Sequence, residues 1–110
     1  MTALLVALGA AVGAPLRWVL TRHDGELPLR MLAVNVLGSG LFGLFAALSL
    51  DASWWALLGT GFCGAFTSYS SFALQAVTRP ARTATTYVVA TTLLSVGACA
   101  LGWTLGGILA

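Results

Sequence analysis

The sequence predicts an all-α membrane protein of four transmembrane helices, with the third helix broken near its middle. Three observations predict this. Hydrophobic residues make up 59% of the 110-residue chain and charged residues only 7%, against roughly 25% charged in a soluble domain. The mean hydropathy is +0.97. The charged residues Arg17, Arg22, Asp24, Glu26, Arg30, Asp51, Arg79 and Arg82 leave uncharged stretches at 1–16, 31–50, 52–78 and 83–110. A helix needs about 20 apolar residues to cross a bilayer. The last three stretches meet that length, and the first reaches it if Arg17 snorkels toward the interface.

The first helix is expected over about 2–20. Gly9 and Gly13 form a small-xxx-small pair, which permits close helix contact, and Pro15 should kink the helix near its end. A cleaved signal peptide is the competing reading. It is disfavoured because no basic residue precedes the apolar run and Pro15-Leu16-Arg17 is not a small-residue cleavage site. A short polar loop, 21–28, leads to the second helix, expected over 29–50. Asp51, Ala52 and Ser53 should turn the chain, and Trp54 and Trp55 fall where an interfacial aromatic belt belongs.

The third helix, expected over 54–77, is the unusual one. Gly59, Gly61 and Gly64 precede the hydroxyl cluster Thr67, Ser68, Ser70 and Ser71. Glycine at that density weakens a helix. Irregular backbone at membrane depth is tolerated only when buried in protein or lining an aqueous cavity. A break is therefore predicted within 64–68, giving two half-helices. The fourth helix, expected over 83–105, carries Tyr87, Thr91, Thr92 and Ser95. The chain then reads as a single transmembrane domain with no soluble part.

The arginines also predict an orientation. Arg22, Arg30, Arg79 and Arg82 fall in or beside the loops 21–28 and 78–82, with Arg17 close by. The positive-inside rule places both loops in the cytoplasm and both termini outside. The net charge of +2 has no basic run behind it, so nucleic acid is not an expected partner. Cys63 and Cys99 lie within predicted spans and read as small buried apolar residues.

Catalytic chemistry finds no support. His23 is the single histidine and lies in a charged loop. No carboxylate lies in a span, and no nucleophile has a base within a helical turn, so an enzyme is not expected. Proton-coupled transport normally uses an intramembrane acid or histidine as a relay. That absence separates the chain from the small four-helix multidrug transporters, whose working acid lies in the first helix. What remains in the spans is polar and uncharged. Asn35 stands alone between Val34 and Val36. It reads either as interhelical glue or as a donor of two N–H groups to a passing anion. Gly38 and Ser39, three and four residues on, share its face. Tyr69 and Phe72, three apart, read as packing or as ring edges of positive potential. Ring edges and hydroxyls together make a weak, uncharged path of the kind ion conduction requires.

Three motifs in order carry a resemblance. They are Gly13-Ala14-Pro15-Leu16-Arg17-Trp18, then Asn35-Val36-Leu37-Gly38-Ser39, then the stretch from Gly61 through Gly64-Ala65-Phe66-Thr67-Ser68-Tyr69-Ser70-Ser71-Phe72. Together they resemble the Fluc, or CrcB, family of bacterial fluoride channels over essentially the whole chain. The resemblance implies a passive channel that exports fluoride across the bacterial plasma membrane and relieves fluoride toxicity. It implies an antiparallel dimer with two pores at its interface. Asn35 would donate to fluoride, Tyr69 and Phe72 would present ring edges, and Ser70 and Ser71 would form the hydroxyl track between them. Tyr87, Thr91 and Ser95 would continue that track. Arg17 would lie at a vestibule. Backbone carbonyls of Gly64 and Thr67 from two subunits would hold a structural sodium ion. Two positions depart from the family pattern. Tyr69 replaces a phenylalanine, and its hydroxyl either bonds within the pore or obstructs it. Gln75 replaces an acid. The one-sided arginines further imply a subunit of fixed orientation, which needs an oppositely oriented paralogue as partner. That makes a non-conducting partner subunit of a heterodimer one alternative to a homodimeric channel, and a small four-helix coupled transporter, disfavoured by the missing intramembrane acid, the other.

Overall fold

The computed structural model describes residues 1–23 and 28–109. Asp24 and Glu26 of the predicted cytoplasmic loop 21–28 lie outside the described residues. The elements are α1 (Thr2–Thr21), α2 (Leu29–Ala47), α3 (Ala52–Trp54), a π-helix (Trp55–Cys63), α4 (Gly64–Phe66), α5 (Tyr69–Thr78) and α6 (Ala81–Leu109). No strand occurs among the described residues. α1, α2 and α6 are each long and apolar enough to cross a membrane. The third span is assembled from α3, the π-helix, α4 and α5. The molecule is 43 Å long, which exceeds the roughly 30 Å hydrocarbon core of a bilayer.

The helix ends have local causes. α2 stops at Ala47, short of the expected residue 50, because Ser49 adopts a left-handed conformation with φ of 54°. A left-handed residue just past a helix ends it, and one with a Cβ does so at some cost. α3 starts at Ala52, two residues before the expected position, because the Asp51 side chain accepts a hydrogen bond from the Trp54 N–H at 3.1 Å. An acidic N-cap of this kind satisfies an otherwise orphaned helix donor. α1 continues through Pro15 to Thr21. α6 runs four residues past the expected end at 105 and reaches Leu109.

Glycines set the packing. A Cβ on Gly13 would meet the Phe62 carbonyl oxygen at 2.6 Å, and one on Gly9 would strike the Leu57 carbonyl oxygen. Gly61 answers from the other side, 2.7 Å from the Val6 carbonyl oxygen by the same measure. Thus α1 and the first half of the third span touch backbone to backbone and run parallel. α2 and α6 form a second parallel pair. Gly43 abuts the Cys99 carbonyl, Gly102 abuts the Gly40 carbonyl, and Gly106 abuts Ala47 and Leu44. Close approach of this kind replaces the hydrophobic drive that helices lack in lipid. It also explains glycines whose number suggested only a weak helix.

The two pairs run antiparallel to each other. Arg17 and Arg22 at the end of α1, Arg30 at the start of α2, and Arg79 and Arg82 around the start of α6 consequently share one end of the bundle. The outward surface is apolar, with Leu4, Leu8, Val12, Leu93, Leu101 and Ile108 all exposed. Of the three long helices, α2 is the most enclosed. Of its most apolar window 28% is buried, against 11% for α1 and for α6.

Gly102→Val is therefore expected to destabilise the chain by about 3 kcal/mol or more, since backbone rather than a side chain must move. Gly107→Ala, with no atom within 4 Å of the added Cβ, is expected to be neutral. Thermal unfolding in detergent checks both.

Candidate functional site

The third span breaks at two residues. Gly64 keeps helical angles, φ −62° and ψ −37°, and the helix persists to Phe66. Thr67 (φ −85°, ψ 161°) and Ser68 (φ −149°, ψ 109°) are extended. The break thus falls at the end of the predicted interval, at the hydroxyl residues rather than at the glycines. Gly61 serves the contact with α1, while Gly64 has open space where a Cβ would stand.

The broken ends are satisfied by named groups. Thr67 donates twice to the Cys63 carbonyl, from its N–H at 3.0 Å and from Oγ1 at 2.8 Å. The Ser68 hydroxyl accepts from the Ser71 N–H at 3.1 Å and so caps α5. Asn35, buried in α2, holds Ser68 from the side. The Ser68 N–H donates to Asn35 Oδ1 at 2.9 Å, and Asn35 Nδ2 donates to the Ser68 carbonyl at 3.4 Å. A backbone N–H can only donate, so this contact fixes which way the amide points. Asn35 is therefore interhelical glue, and its target is the break. Its NH₂ group has two hydrogens, of which the described bond takes one. Arg17 completes the surround. Its guanidinium donates to the carbonyls of Ala65 at 2.9 Å and Thr67 at 3.3 Å.

An open groove of about 380 Å³ runs beside the break. It is lined by Asn35, Ser39, Thr67, Ser68, Tyr69, Phe72, Thr91, Thr92, Ser95 and Val96. A second hollow of about 500 Å³ shares Ser39, Thr67, Ser95 and Val96 with it and extends past Gly64, Thr60 and Cys63. No formal charge lines either one.

The structure brings most of the sequence-predicted residues together. Asn35, Tyr69, Phe72, Thr91 and Ser95 share the groove wall. Tyr69 is 81% exposed in the single subunit. Its ring lies 6.0 Å from that of Phe72, which lies 5.4 Å from the ring of Tyr87. Tyr87 is fully buried behind Phe72 and is absent from the groove lining. Ser70 and Ser71 are absent from it as well. Ser70 sits 3.3 Å from the Ser68 hydroxyl, and Ser71 contributes its backbone N–H to the cap. Arg17 lies against the break and not in the groove. Gly64 is exposed and Thr67 half-buried.

Sequence reasoning passed over Ser39, Ser68 and Thr92 as lining residues. Ser39 was legible as the residue one turn after Asn35, and Ser68 as the first serine of a cluster before a helix.

One chemical feature singles out the fourth span. Thr21, Thr67, Thr78, Thr86 and Thr104 all donate their hydroxyls to the carbonyl four residues earlier. Thr91 and Ser95 do not. Their hydroxyls are buried and have no hydrogen-bond partner among the described residues. A buried hydroxyl without a partner costs free energy, and these two are four residues apart on the groove-facing side of α6. The groove thus carries unspent donors and no charge.

Comparison with known proteins agrees with the motifs. Residues 4–106 match the family described as CrcB-like protein, Camphor Resistance (CrcB). The chain is 42% identical to the fluoride-specific ion channel FluC 2 of Rhodococcus jostii strain RHA1, over 96% of this chain and 98% of that protein. It is 43% identical to FluC 2 of Parasynechococcus marenigrum strain WH8102, over 94% and 79% of the two chains. It is 38% identical to FluC 2 of Bacillus cereus strain ATCC 14579, over 96% and 98%. With a four-span helical fold, a third span broken between Phe66 and Tyr69, and relatives of this closeness over nearly its whole length, the chain belongs to the CrcB family.

Proposed function

We propose that the chain is a subunit of a passive fluoride channel in the plasma membrane of a bacterial cell. The observation that carries this reading is the pair of unpartnered buried hydroxyls, Thr91 and Ser95, in an uncharged groove with Asn35 and two aromatic rings. Fluoride is small and strongly hydrated. Several converging donors have to replace its water, because one donor cannot. An arginine or lysine in the wall would hold the ion too firmly for conduction. Hydroxyls, one amide N–H and positive ring edges stabilise an anion without trapping it. An inside-negative membrane would drive fluoride outward through such a path. The curated relatives are named fluoride-specific ion channels, which supports the same ion.

A groove is not a pore until it is closed. The exposure of Tyr69 and the open side of the groove favour a second subunit as the missing wall. An antiparallel partner would repeat the groove on the other face and give two pores. Gly64 has no neighbour within 4 Å of where a Cβ would stand, so its backbone is open to approach. The Thr67 carbonyl gives one of its two lone pairs to Arg17 and keeps the other. Backbone carbonyls are hard ligands that suit sodium, so Gly64 and Thr67 fit a structural sodium between subunits. Such an ion would supply fixed charge joining the two broken helices. The guanidinium of Arg17, one turn from the end of α1, is spent on the Ala65 and Thr67 carbonyls and does not line the groove.

A second reading rests on one observation, the arginines gathered at one end of the bundle. By the positive-inside rule the loops 21–28 and 78–82 would face the cytoplasm in every copy. An antiparallel dimer would then need a paralogue of opposite orientation, and this chain would be half of a heterodimer.

Purified chain in liposomes is expected to release fluoride, read with a fluoride electrode, without any proton gradient. Flux that requires a proton gradient would indicate a coupled transporter instead. Thr91→Val and Ser95→Ala each remove an unspent donor and keep the volume nearly constant. Each is expected to lower efflux at least tenfold while leaving thermal stability unchanged or raised, since a buried unpartnered hydroxyl is costly. C-terminal fusion reporters test the second reading. A C-terminus found on one side only, with flux that appears only when the paralogue is added, is the outcome expected of a heterodimer. Flux from the chain alone removes that reading.

A further inference from the structure

The Thr67–Ser68 peptide unit is held at both of its polar ends by different helices. Its carbonyl oxygen accepts from the Arg17 guanidinium of α1 at 3.3 Å, and its N–H donates to the Asn35 amide of α2 at 2.9 Å. In a trans peptide these two groups point in opposite directions. α1 and α2 therefore grip the unit from its two sides.

We infer that Arg17 is a positioning residue, which fixes the plane of the Thr67–Ser68 peptide and through it the groove wall. Three facts carry this. First, a helix end leaves its last four carbonyls without helical donors and concentrates partial negative charge there. Arg17 supplies a cation at that end, donating to Ala65 at 2.9 Å within the last turn and to Thr67 beyond it. One nitrogen thus bridges the helix and the first extended residue. Second, the approach is built for it. Gly13, one turn before Arg17, has the Phe66 backbone nitrogen at 3.0 Å from its would-be Cβ. That contact brings the end of α1 against the end of α4. Third, the same residues on the far side of the peptide are groove lining. Thr67, Ser68 and Asn35 all face the 380 Å³ groove, and Thr67 Cγ2 fills the space that Gly38 leaves open. Rotation of this one peptide would release Asn35 and move the Ser68 cap of α5, and with it Tyr69 and Phe72.

A residue that only attracts anions behaves differently. Its loss lowers the apparent affinity for fluoride and changes the ionic-strength dependence, and a high fluoride concentration restores the flux. Loss of a positioning residue lowers the flux at saturating fluoride and leaves the salt dependence alone. It also couples to Asn35, because both hold the same peptide. The flux comparison rests on the channel reading. The exchange measurement does not, and it separates failure of this inference from failure of that reading.

The experiment compares the wild-type chain with Arg17→Met, Arg17→Lys, Asn35→Ser and the Arg17→Met/Asn35→Ser double variant. Amide hydrogen exchange over residues 66–71 is measured in detergent and fluoride efflux in liposomes, both per folded protein. Arg17→Met is expected to speed exchange at least tenfold and to cut saturating efflux at least tenfold. Arg17→Lys, which keeps the charge on a shorter and more strongly hydrated head group, should fall between it and wild type. The double variant should be no worse than the more damaged single variant. Should Arg17→Met fail to fold, Arg17→Lys with Asn35→Ser carries the same comparison. Unchanged exchange in the Arg17 variants overturns the inference. So does efflux loss that multiplies in the double variant or is restored by raising fluoride.

Discussion

Hydrocarbon offers no hydrogen bonds, so every polar backbone group inside a bilayer must find its partner within the protein. The break at Thr67 and Ser68 defies the usual solution, which is an unbroken helix. Its carbonyls and amides have to be met one by one. Thr67 folds back on Cys63, Ser68 caps α5, Asn35 takes both polar groups of Ser68, and Arg17 takes Ala65 and Thr67. The remaining architecture can be understood as the means of bringing those side chains to that place.

Glycine supplies the reach. Arg17 meets the break because Gly9, Gly13 and Gly61 let α1 and the π-helix touch through their backbones. Asn35 meets it because Gly38, three residues on, makes room for Thr67. On the other side of α2, Gly40, Gly43, Gly102 and Gly106 draw α6 in, which puts Thr91 and Ser95 on the same groove as Asn35. Close packing and polar function are thus coupled along α2. One edge of that helix holds the break, and the other fixes the helix whose hydroxyls remain unspent.

Much of this was legible in the amino acids. The charges alone mark out the spans, because a charge is too costly to place at random along a membrane helix. The cluster running from Gly59 to Phe72 announces an irregular third span. Its details were less legible. Ser49 ends α2 early through a left-handed conformation that serine adopts only occasionally, and no composition rule foretells it. The break was expected between Gly64 and Ser68, and Gly64 itself stays helical with open space beside it, because a single glycine costs a helix only about 1 kcal/mol. Asn35 was read as either glue or a functional donor. The fold shows that an amide has enough hydrogens for the first role while keeping one for the other. The partner of Arg17 could not be read at all. It depends on two helices meeting about 50 residues apart in the chain, and a single sequence does not carry that contact.

The nine-residue π-helix, Trp55–Cys63, has a consequence for how this protein can vary over time. Its wider winding sets the angle at which the chain arrives at Thr67. Deleting one residue from it would let the segment tighten from i→i+5 to i→i+4 bonds, and the two changes roughly cancel in the facing of the Thr67–Ser68 peptide. An added residue has no such compensation: it would turn the chain by up to about 100° and swing that peptide away from Arg17 and Asn35. The segment already carries the longest stretch its two ends allow. Among descendants of this chain, a single-residue deletion between Trp55 and Cys63 should be survivable where a single-residue insertion is not.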